Sequence, residues 1–163
     1  MTLKIIPARE SHFTGLREAL DVVAREKRYL LFIQAPPLDQ CIAFYRSIQL
    51  HGHCQVIAEI DDVVVGWCHV LPVRGEVRVH VGELGIGLIP SARHRGIGQM
   101  LIQAAIDTAW EKGLSRIELS VRIDNTNAKA LYERMGFHTE GVHRQAFQVD
   151  GEYFDALSMA LLR

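Results

Sequence analysis

"ARHRGIGQMLIQAAIDTAW" (residues 92–110) places two glycines, Gly96 and Gly98, among positive charges and directly before a long apolar run. The apolar spacing predicts a helix over 97–112 that ends at Gly113. A helix N-terminus presents unpaired backbone N–H groups and a partial positive charge, which together suit a phosphate. Glycines allow close approach to the backbone, and arginines add charge-assisted hydrogen bonds. The stretch therefore predicts a pyrophosphate site that follows a strand.

Two common phosphate-binding loops differ from this one. A dinucleotide-binding loop has a third glycine where Leu101 stands here, and it follows the first strand of its domain rather than the fourth. A P-loop ends in Gly-Lys-Ser/Thr, which is absent. Spacing alone leaves two interpretations open, namely a phosphate site of another kind and a glycine-rich turn with solvated charges.

The segments around this stretch predict a mixed α/β chain with one domain over residues 1–163. Upstream we predict a strand at 3–8, helices at 10–28 and 38–50, a hairpin turning at Asp61-Asp62, and a strand at 76–89. Downstream we predict a strand at 115–122, a helix at 125–135, and a hairpin turning at Asp150-Gly151. The predicted order is β α α β β β α β α β β.

Composition and charge narrow the classes of partner. The chain has 163 residues, of which 48% are hydrophobic and 23% charged, and its net charge of −1 provides no basic surface for nucleic acid or an anionic membrane. No apolar stretch is long enough to span a bilayer. Three cysteines without a CxxC pattern predict reduced thiols and a cytoplasmic location. His51 and His53 near Cys54 lack a second ligand pair, so we predict no metal.

A second motif, "RIDNTNAKALYERMGF" (residues 122–137), lies one predicted strand further on. Together the two stretches resemble the GCN5-related N-acetyltransferase (GNAT) superfamily. The first signature of that family is Arg/Gln-x-x-Gly-x-Gly/Ala, and the second is an Asn seven residues before a Tyr, closely followed by Gly-Phe. The matching residues are Arg93, Gly96 and Gly98 for the first, and Asn125, Tyr132, Gly136 and Phe137 for the second. The predicted element order agrees with the family over essentially the whole chain.

The resemblance implies a sheet in which the strand ending at Ile89 and the strand 116–122 splay apart around acetyl-CoA. Exposed backbone of the first strand would pair with the pantetheine arm, as an added strand pairs with a sheet edge. Backbone amides 94–99 would hold the pyrophosphate, and Asn125 would hydrogen-bond the arm. The cofactor-contacting residues so implied are Ile86, Gly87, Leu88, Arg93, His94, Arg95, Gly96, Ile97, Gly98, Gln99 and Asn125.

The resemblance also implies a direct attack of a neutral amine on the thioester, with three catalytic residues. The N–H of Leu88 would stabilise the thioester oxygen. Tyr132, whose unperturbed pKa is about 10, would protonate the departing thiolate; the alternative is an ordinary tyrosine of an amphipathic helix. Glu83 would act as a base, through a water, or bind a cationic substrate; the alternative is a strand carboxylate paired with an arginine.

These residues predict an acetyl-CoA-dependent N-acetyltransferase whose acceptor is a small molecule with a primary amine, such as an amino acid. The "GELGIG" strand looks most like that of amino-acid enzymes, and Ser120 stands where some protein N-terminal acetyltransferases carry a Glu. Alternatives are a protein N-terminal or lysine acetyltransferase, a non-catalytic acyl-CoA sensor, and a nucleotide-binding protein. Tyr153 and Asp155 either contact the acceptor or pack the terminal hairpin, whose edge could form a homodimer.

Overall fold

A computed structural model describes residues 1–163, and its element order confirms the predicted one. The strands are β1 (Leu3–Pro7), β2 (Cys54–Ile60), β3 (Val63–Pro72), β4 (Val81–Leu88), β5 (Arg116–Arg122), β6 (His138–Val149) and β7 (Glu152–Leu162). The helices are α1 (Phe13–Ala24), α2 (Leu38–Leu50), α3 (Ile97–Glu111) and α4 (Thr126–Arg134). None of the helices has the length and apolar character that crossing a membrane requires.

Two predicted elements begin differently in the structure. The predicted strand 76–89 starts only at Val81, because Glu76–Arg78 forms a 3₁₀ turn. The alternating sequence there is typical of a strand, but β3 ends at Pro72, opposite Gly82, and leaves residues 76–80 no strand to pair with. The predicted helix 10–28 is a 3₁₀ turn, Glu10–His12, followed by α1, which ends at Ala24.

The strands form one sheet in the order β1-β2-β3-β4-β5-β7-β6, in which only β4 and β5 are parallel neighbours. Their pairing is short, because only Val81–Glu83 pairs with Arg116–Glu118. Beyond Glu83 each strand keeps its antiparallel partner on the other side, β3 for β4 and β7 for β5. The two strands therefore separate into a V, as the family resemblance implies.

Apolar layers cover the two faces of the sheet. Residues of α3 and α4, including Leu101 and Tyr132, pack with Ile117 of β5 on one face. Residues of α1 and α2, including Phe13, pack with Trp67 of β3 on the other. Burying each large side chain contributes about 1.5–3 kcal/mol, so both helical layers are firmly held against the sheet. The open end of the V and the N-terminus of α3 are thus carried on rigid elements.

Candidate active site

The turn that starts α3 presents a row of free donors. No protein acceptor receives a hydrogen bond from the backbone N–H groups of residues 94–99, and the first N–H that is bonded is that of Met100, to Gly96 O at 3.2 Å. Gly96 is the N-cap in a left-handed conformation with φ 78°, and His94 has φ 61°. Successive amides in such a turn form an anion-binding concavity. The turn therefore fits the pyrophosphate of the implied cofactor.

The two glycines of this turn have different structural roles. A Cβ added at Gly96 would meet nothing within 4 Å, so this glycine is required by its positive φ. A Cβ at Gly98 would lie 3.2 Å from Cδ2 of Leu131, so this glycine lets α3 and α4 approach closely. The space beside Gly96 is open to a ligand, whereas Gly98 has a packing role, and the contact of either glycine with a phosphate stays a prediction.

Arg93, predicted to contact the phosphate, is engaged with protein groups instead. Its Nε donates to Leu88 O at 2.9 Å, and its two terminal nitrogens donate to the carboxylate of Glu26 at 2.8 and 2.5 Å. The guanidinium also stacks over the ring of Tyr29, 4.6 Å from its centroid. Glu26 raises the pKa of Arg93 further. Arg93 therefore ties the end of β4 to the segment after α1, whereas the exposed Arg95 makes one contact, to Met1 Sδ at 3.4 Å.

The open edge of β4 offers two of the three predicted residues to a ligand. Val73 N–H donates to Val81 O, and Ile89 N–H donates to Val65 O. Hydrogen-bonded positions alternate along an antiparallel ladder, so odd-numbered residues between them turn their backbone groups to β3. Gly87 is one of these odd-numbered residues, so its backbone faces β3, and its contact with the cofactor stays a prediction. The backbones of Ile86 and Leu88 face the V. The N–H of Leu88 is free, and its carbonyl accepts the hydrogen bond from Arg93 Nε.

Tyr132 lies deep in the layer beneath α4, with 7% of its surface exposed. Burial, and to a smaller extent the nearby Cys68, raises the pKa of Tyr132. Cys68 is the residue of β3 directly opposite Ile86. The phenol therefore lies on the α3/α4 side of the strand that forms one wall of the V, and it stays protonated at physiological pH. No protein group hydrogen-bonds its hydroxyl.

Asn125 is the N-cap of α4, at the end of the other wall of the V. Its Oδ1 accepts a hydrogen bond from the N–H of Ala128 at 3.3 Å, a contact that explains the local need for Asn at a helix start. The amide nitrogen of Asn125 has no protein acceptor. That nitrogen remains free to donate to a ligand arm lying between β4 and β5.

Known proteins that are similar in sequence identify the family of this chain. The sequence profile of the acetyltransferase (GNAT) family matches residues 16–137, most of the chain. The chain belongs to the GNAT family. It is 33% identical over 142 residues to L-amino acid N-acetyltransferase AaaT of Escherichia coli, an alignment covering 86% of this chain and 87% of that protein.

Two further proteins are similar to this chain, one in fold and one in sequence. A phosphinothricin acetyltransferase from Sinorhizobium meliloti, solved in complex with acetyl-CoA, superposes with a TM-score of 0.91 at 19% identity, covering 99% of this chain and 89% of the other. The [ribosomal protein bS18]-alanine N-acetyltransferase of Salmonella typhimurium is 36% identical over 76 residues, which is 47% of this chain and 51% of that protein. This chain is an N-acetyltransferase that uses acetyl-CoA as its cosubstrate.

Glu83 of this acetyltransferase is exposed and lacks the arginine partner of the alternative interpretation. It is the last residue of β4 that pairs with β5, and it stands opposite Leu71 of β3. Neighbouring Glu118, in contrast, is held by Arg78 and Arg116. An unpaired carboxylate where the two strands part is free to bind a cation or accept a proton.

The sequence analysis did not predict that two aromatic rings of β3 pack directly over two glycines of β4. A Cβ at Gly87 would lie 2.1 Å from the ring of Trp67, and a Cβ at Gly85 would lie 2.4 Å from Nε2 of His69. Burial lowers the pKa of His69 to about 4, so its ring is neutral at physiological pH. Alternate glycines in "GELGIG" opposite "WCH" were the available signal for this packing.

Other polar residues named from the sequence have structural partners or lie outside the V. Asp155 accepts a hydrogen bond from the N–H of Gln145 at 2.8 Å, which supports the hairpin-packing interpretation, and Tyr153 is exposed. The rings of His51 and His53 stack with centroids 5.5 Å apart after α2. The three cysteines are free and buried.

Proposed function

We propose that this enzyme transfers the acetyl group of acetyl-CoA to the primary amine of a small molecule, with a free amino acid as the first candidate. The observation that carries this proposal is the V between β4 and β5, with Tyr132 at one face and unpaired Glu83 where the strands part. A relative matched over most of both chains acts on L-amino acids.

The cofactor would be held by residues already described. Backbone amides 94–99 would bind the pyrophosphate, the V-facing backbones of Ile86 and Leu88 would pair with the pantetheine arm, and the Asn125 amide would donate to that arm. When bound, acetyl-CoA supplies an acetyl group activated as a thioester. Arg93 would position Leu88 by holding its carbonyl, which leaves the Leu88 N–H aimed at the thioester oxygen.

Proton transfer would be divided between the two faces of β4. Tyr132 would donate its phenolic proton to the departing sulfur, a role that its protonated state suits. Glu83 would accept the proton of the incoming ammonium, directly or through water. Deprotonating a lysine-like ammonium at pH 7 costs about 4–5 kcal/mol, whereas the α-ammonium of a peptide N-terminus costs about 1 kcal/mol and that of a free amino acid lies between the two. A single exposed carboxylate is therefore better matched to an α-amine.

A second candidate function is acetylation of protein N-termini. It is supported by the identity to a ribosomal-protein enzyme over about half of the chain. Ser120 stands five residues before Asn125, where the resemblance would place a Glu in some of those enzymes, and this weakens the candidate. A cytoplasmic location, the absence of a metal and a homodimer through the terminal hairpin stay predictions.

An acceptor screen tests the proposal. Purified enzyme with acetyl-CoA is offered free L-amino acids, polyamines, aminoglycosides and short peptides, while released thiol is titrated and products are identified by mass spectrometry. We expect acceptor-dependent thiol release with one or more amino acids and acetylation at the α-nitrogen. Turnover of peptides alone would move the function to protein N-termini. Acetyl-CoA binding without thiol release for any amine would indicate a sensor and contradict the proposal.

A further inference from the structure

Three residues form a row across the middle of the sheet, on the face covered by α1 and α2. Gln55 of β2 pairs in register with His69 of β3, and His69 pairs with Gly85 of β4. Opposite residues of antiparallel strands direct their side chains to the same face. Trp67 packs against the α1/α2 layer, and Phe44 of α2 meets the His69 ring edge-on at 6.4 Å, which identifies that face.

The two polar members of this row have no partner in the protein. Gln55 is only 7% exposed, and neither the nitrogen nor the oxygen of its amide makes a hydrogen bond. Neither ring nitrogen of the partly buried His69 makes one either. A buried amide left unpaired costs about 1–3 kcal/mol, and such groups are rare in native proteins unless a ligand or water satisfies them. The row therefore has the properties of a ligand-binding group rather than of ordinary core.

Gly85 locates this row relative to the reaction centre. It lies between Glu83, the last residue of β4 that pairs with β5, and Ile86, whose backbone faces the open V. The atom nearest to the missing Cβ of Gly85 is His69 Nε2, at 2.4 Å from the Cβ position. The imidazole therefore lies directly over β4 where the V begins. Tyr132 of α4 lies against the opposite face of the sheet, near Cys68 of β3.

We propose that His69 is a catalytic residue that binds the acceptor amine through Nε2 and takes its proton during acetyl transfer, with the unpartnered Gln55 amide beside it as a further acceptor-binding group. This inference rests on the proposed function and deepens it. The lone pair of the neutral amine forms the new C–N bond while the C–S bond breaks. One N–H proton passes to His69 Nε2, and the departing sulfur takes the proton of Tyr132.

The neutral ring suits this second proton rather than the first. The positively charged ammonium is attracted to the Glu83 carboxylate, on the same face of β4, and gives its first proton there. The nitrogen becomes far more acidic once it bonds to the carbonyl carbon, and a weakly basic imidazole then suffices. With its proton on Nδ1, the neutral imidazole offers Nε2 as an acceptor to the N–H groups of the amine. The acceptor class is a primary amine that loses its first proton easily, which describes an α-amine.

This inference is tested by steady-state kinetics, using the amino acid that the acceptor screen identifies. We expect His69→Leu to lower kcat/KM for the acceptor by about 100-fold or more, the effect of losing a proton acceptor, while the KM for acetyl-CoA is unchanged. Gly85→Ala keeps the imidazole but inserts a Cβ 2.4 Å from Nε2, and we expect a loss of the same kind. His51→Gln, outside the V, is the matched control and should behave as the wild type.

The outcomes separate this inference from the proposed function. An active wild type whose His69→Leu and Gly85→Ala variants retain kcat/KM for the acceptor would overturn the role of His69 alone. A rise in the KM for acetyl-CoA that accompanies the loss for the acceptor would also overturn it, because it would indicate damage to the V and hence a structural role. A wild type inactive on every amine would overturn the proposed function and this inference with it. If His69→Leu does not fold, the kcat/KM values of Gly85→Ala and His69→Gln for the acceptor decide between these outcomes. Retained binding of acetyl-CoA shows that the V is intact in those variants.

Discussion

Replacing Tyr132 by Phe removes one hydroxyl from a packed site and should separate catalysis from stability. The ring is 7% exposed and lies 5.9 Å from the ring of Phe137, a contact that the variant keeps. Because no protein group bonds the hydroxyl, its loss breaks no hydrogen bond. We expect the free energy of unfolding to stay constant or to rise by up to about 1 kcal/mol, which is about 2–4 °C in Tm for a chain of this size.

The effect of Tyr132→Phe on the reaction should be far larger. Loss of a positioned proton donor lowers kcat by about 10²–10⁴, which is about 2.7–5.5 kcal/mol of barrier. Thiol-release kinetics give kcat, calorimetric titration gives the affinity for acetyl-CoA, and thermal unfolding gives stability. The matched control is Tyr45→Phe, since Tyr45 is also buried, with a pKa raised by burial, but belongs to the layer under α1 and α2.

The result that would refute this reasoning is specific. An unchanged kcat in Tyr132→Phe would remove the phenol from the mechanism. A loss of kcat equal to that of Tyr45→Phe would indicate a packing effect. A fall in Tm without a fall in kcat would mean that the hydroxyl has a structural partner.

Three further predictions address the walls of the site. Glu26→Gln removes the charge that Arg93 binds. Because both side chains are about one-quarter exposed or less, we expect the free energy of unfolding to fall by about 1 kcal/mol, and by less at high salt, as measured by thermal unfolding. A shift that is absent or independent of salt would contradict the pairing. Gly96→Ala places a side chain at φ 78°, which should cost about 1 kcal/mol in chemical denaturation and weaken acetyl-CoA binding; unchanged stability would show that the turn relaxes. The folded-state pKa of His69, about 4, lies below its ordinary 6.5, so its contribution is fully present above pH 6.5 and is lost as the pH falls towards 4. We expect about 3 kcal/mol of pH-dependent stability in that window, with His69→Gln flattening the curve, and an unchanged slope in the variant would contradict the burial of a neutral ring.

The differences between the sequence interpretation and the structure share a cause, because each concerns a partner distant in sequence. Arg93 and the glycines were correctly found near the start of α3, but Glu26, 67 residues away, decides what Arg93 binds. Gly87 lies in the strand that the resemblance implies for the cofactor, yet the register with Trp67 of β3 decides that its backbone faces away from the V. Neither the residue that lies opposite in the neighbouring strand nor the partner of an ion pair can be read from the spacing within one short motif.

The amino-acid sequence by itself determined the order of the elements, the glycine turn at α3 and the Asn125–Tyr132 motif. These features depend on periodicity, turn chemistry and helix ends, which act within a few residues. Only the tertiary structure decided where the V opens, which backbone groups line it, and that Gln55, His69 and Gly85 form one row. Strand pairing brings those three residues together from three separate segments, and burial then leaves two polar side chains without partners, an arrangement no single segment contains.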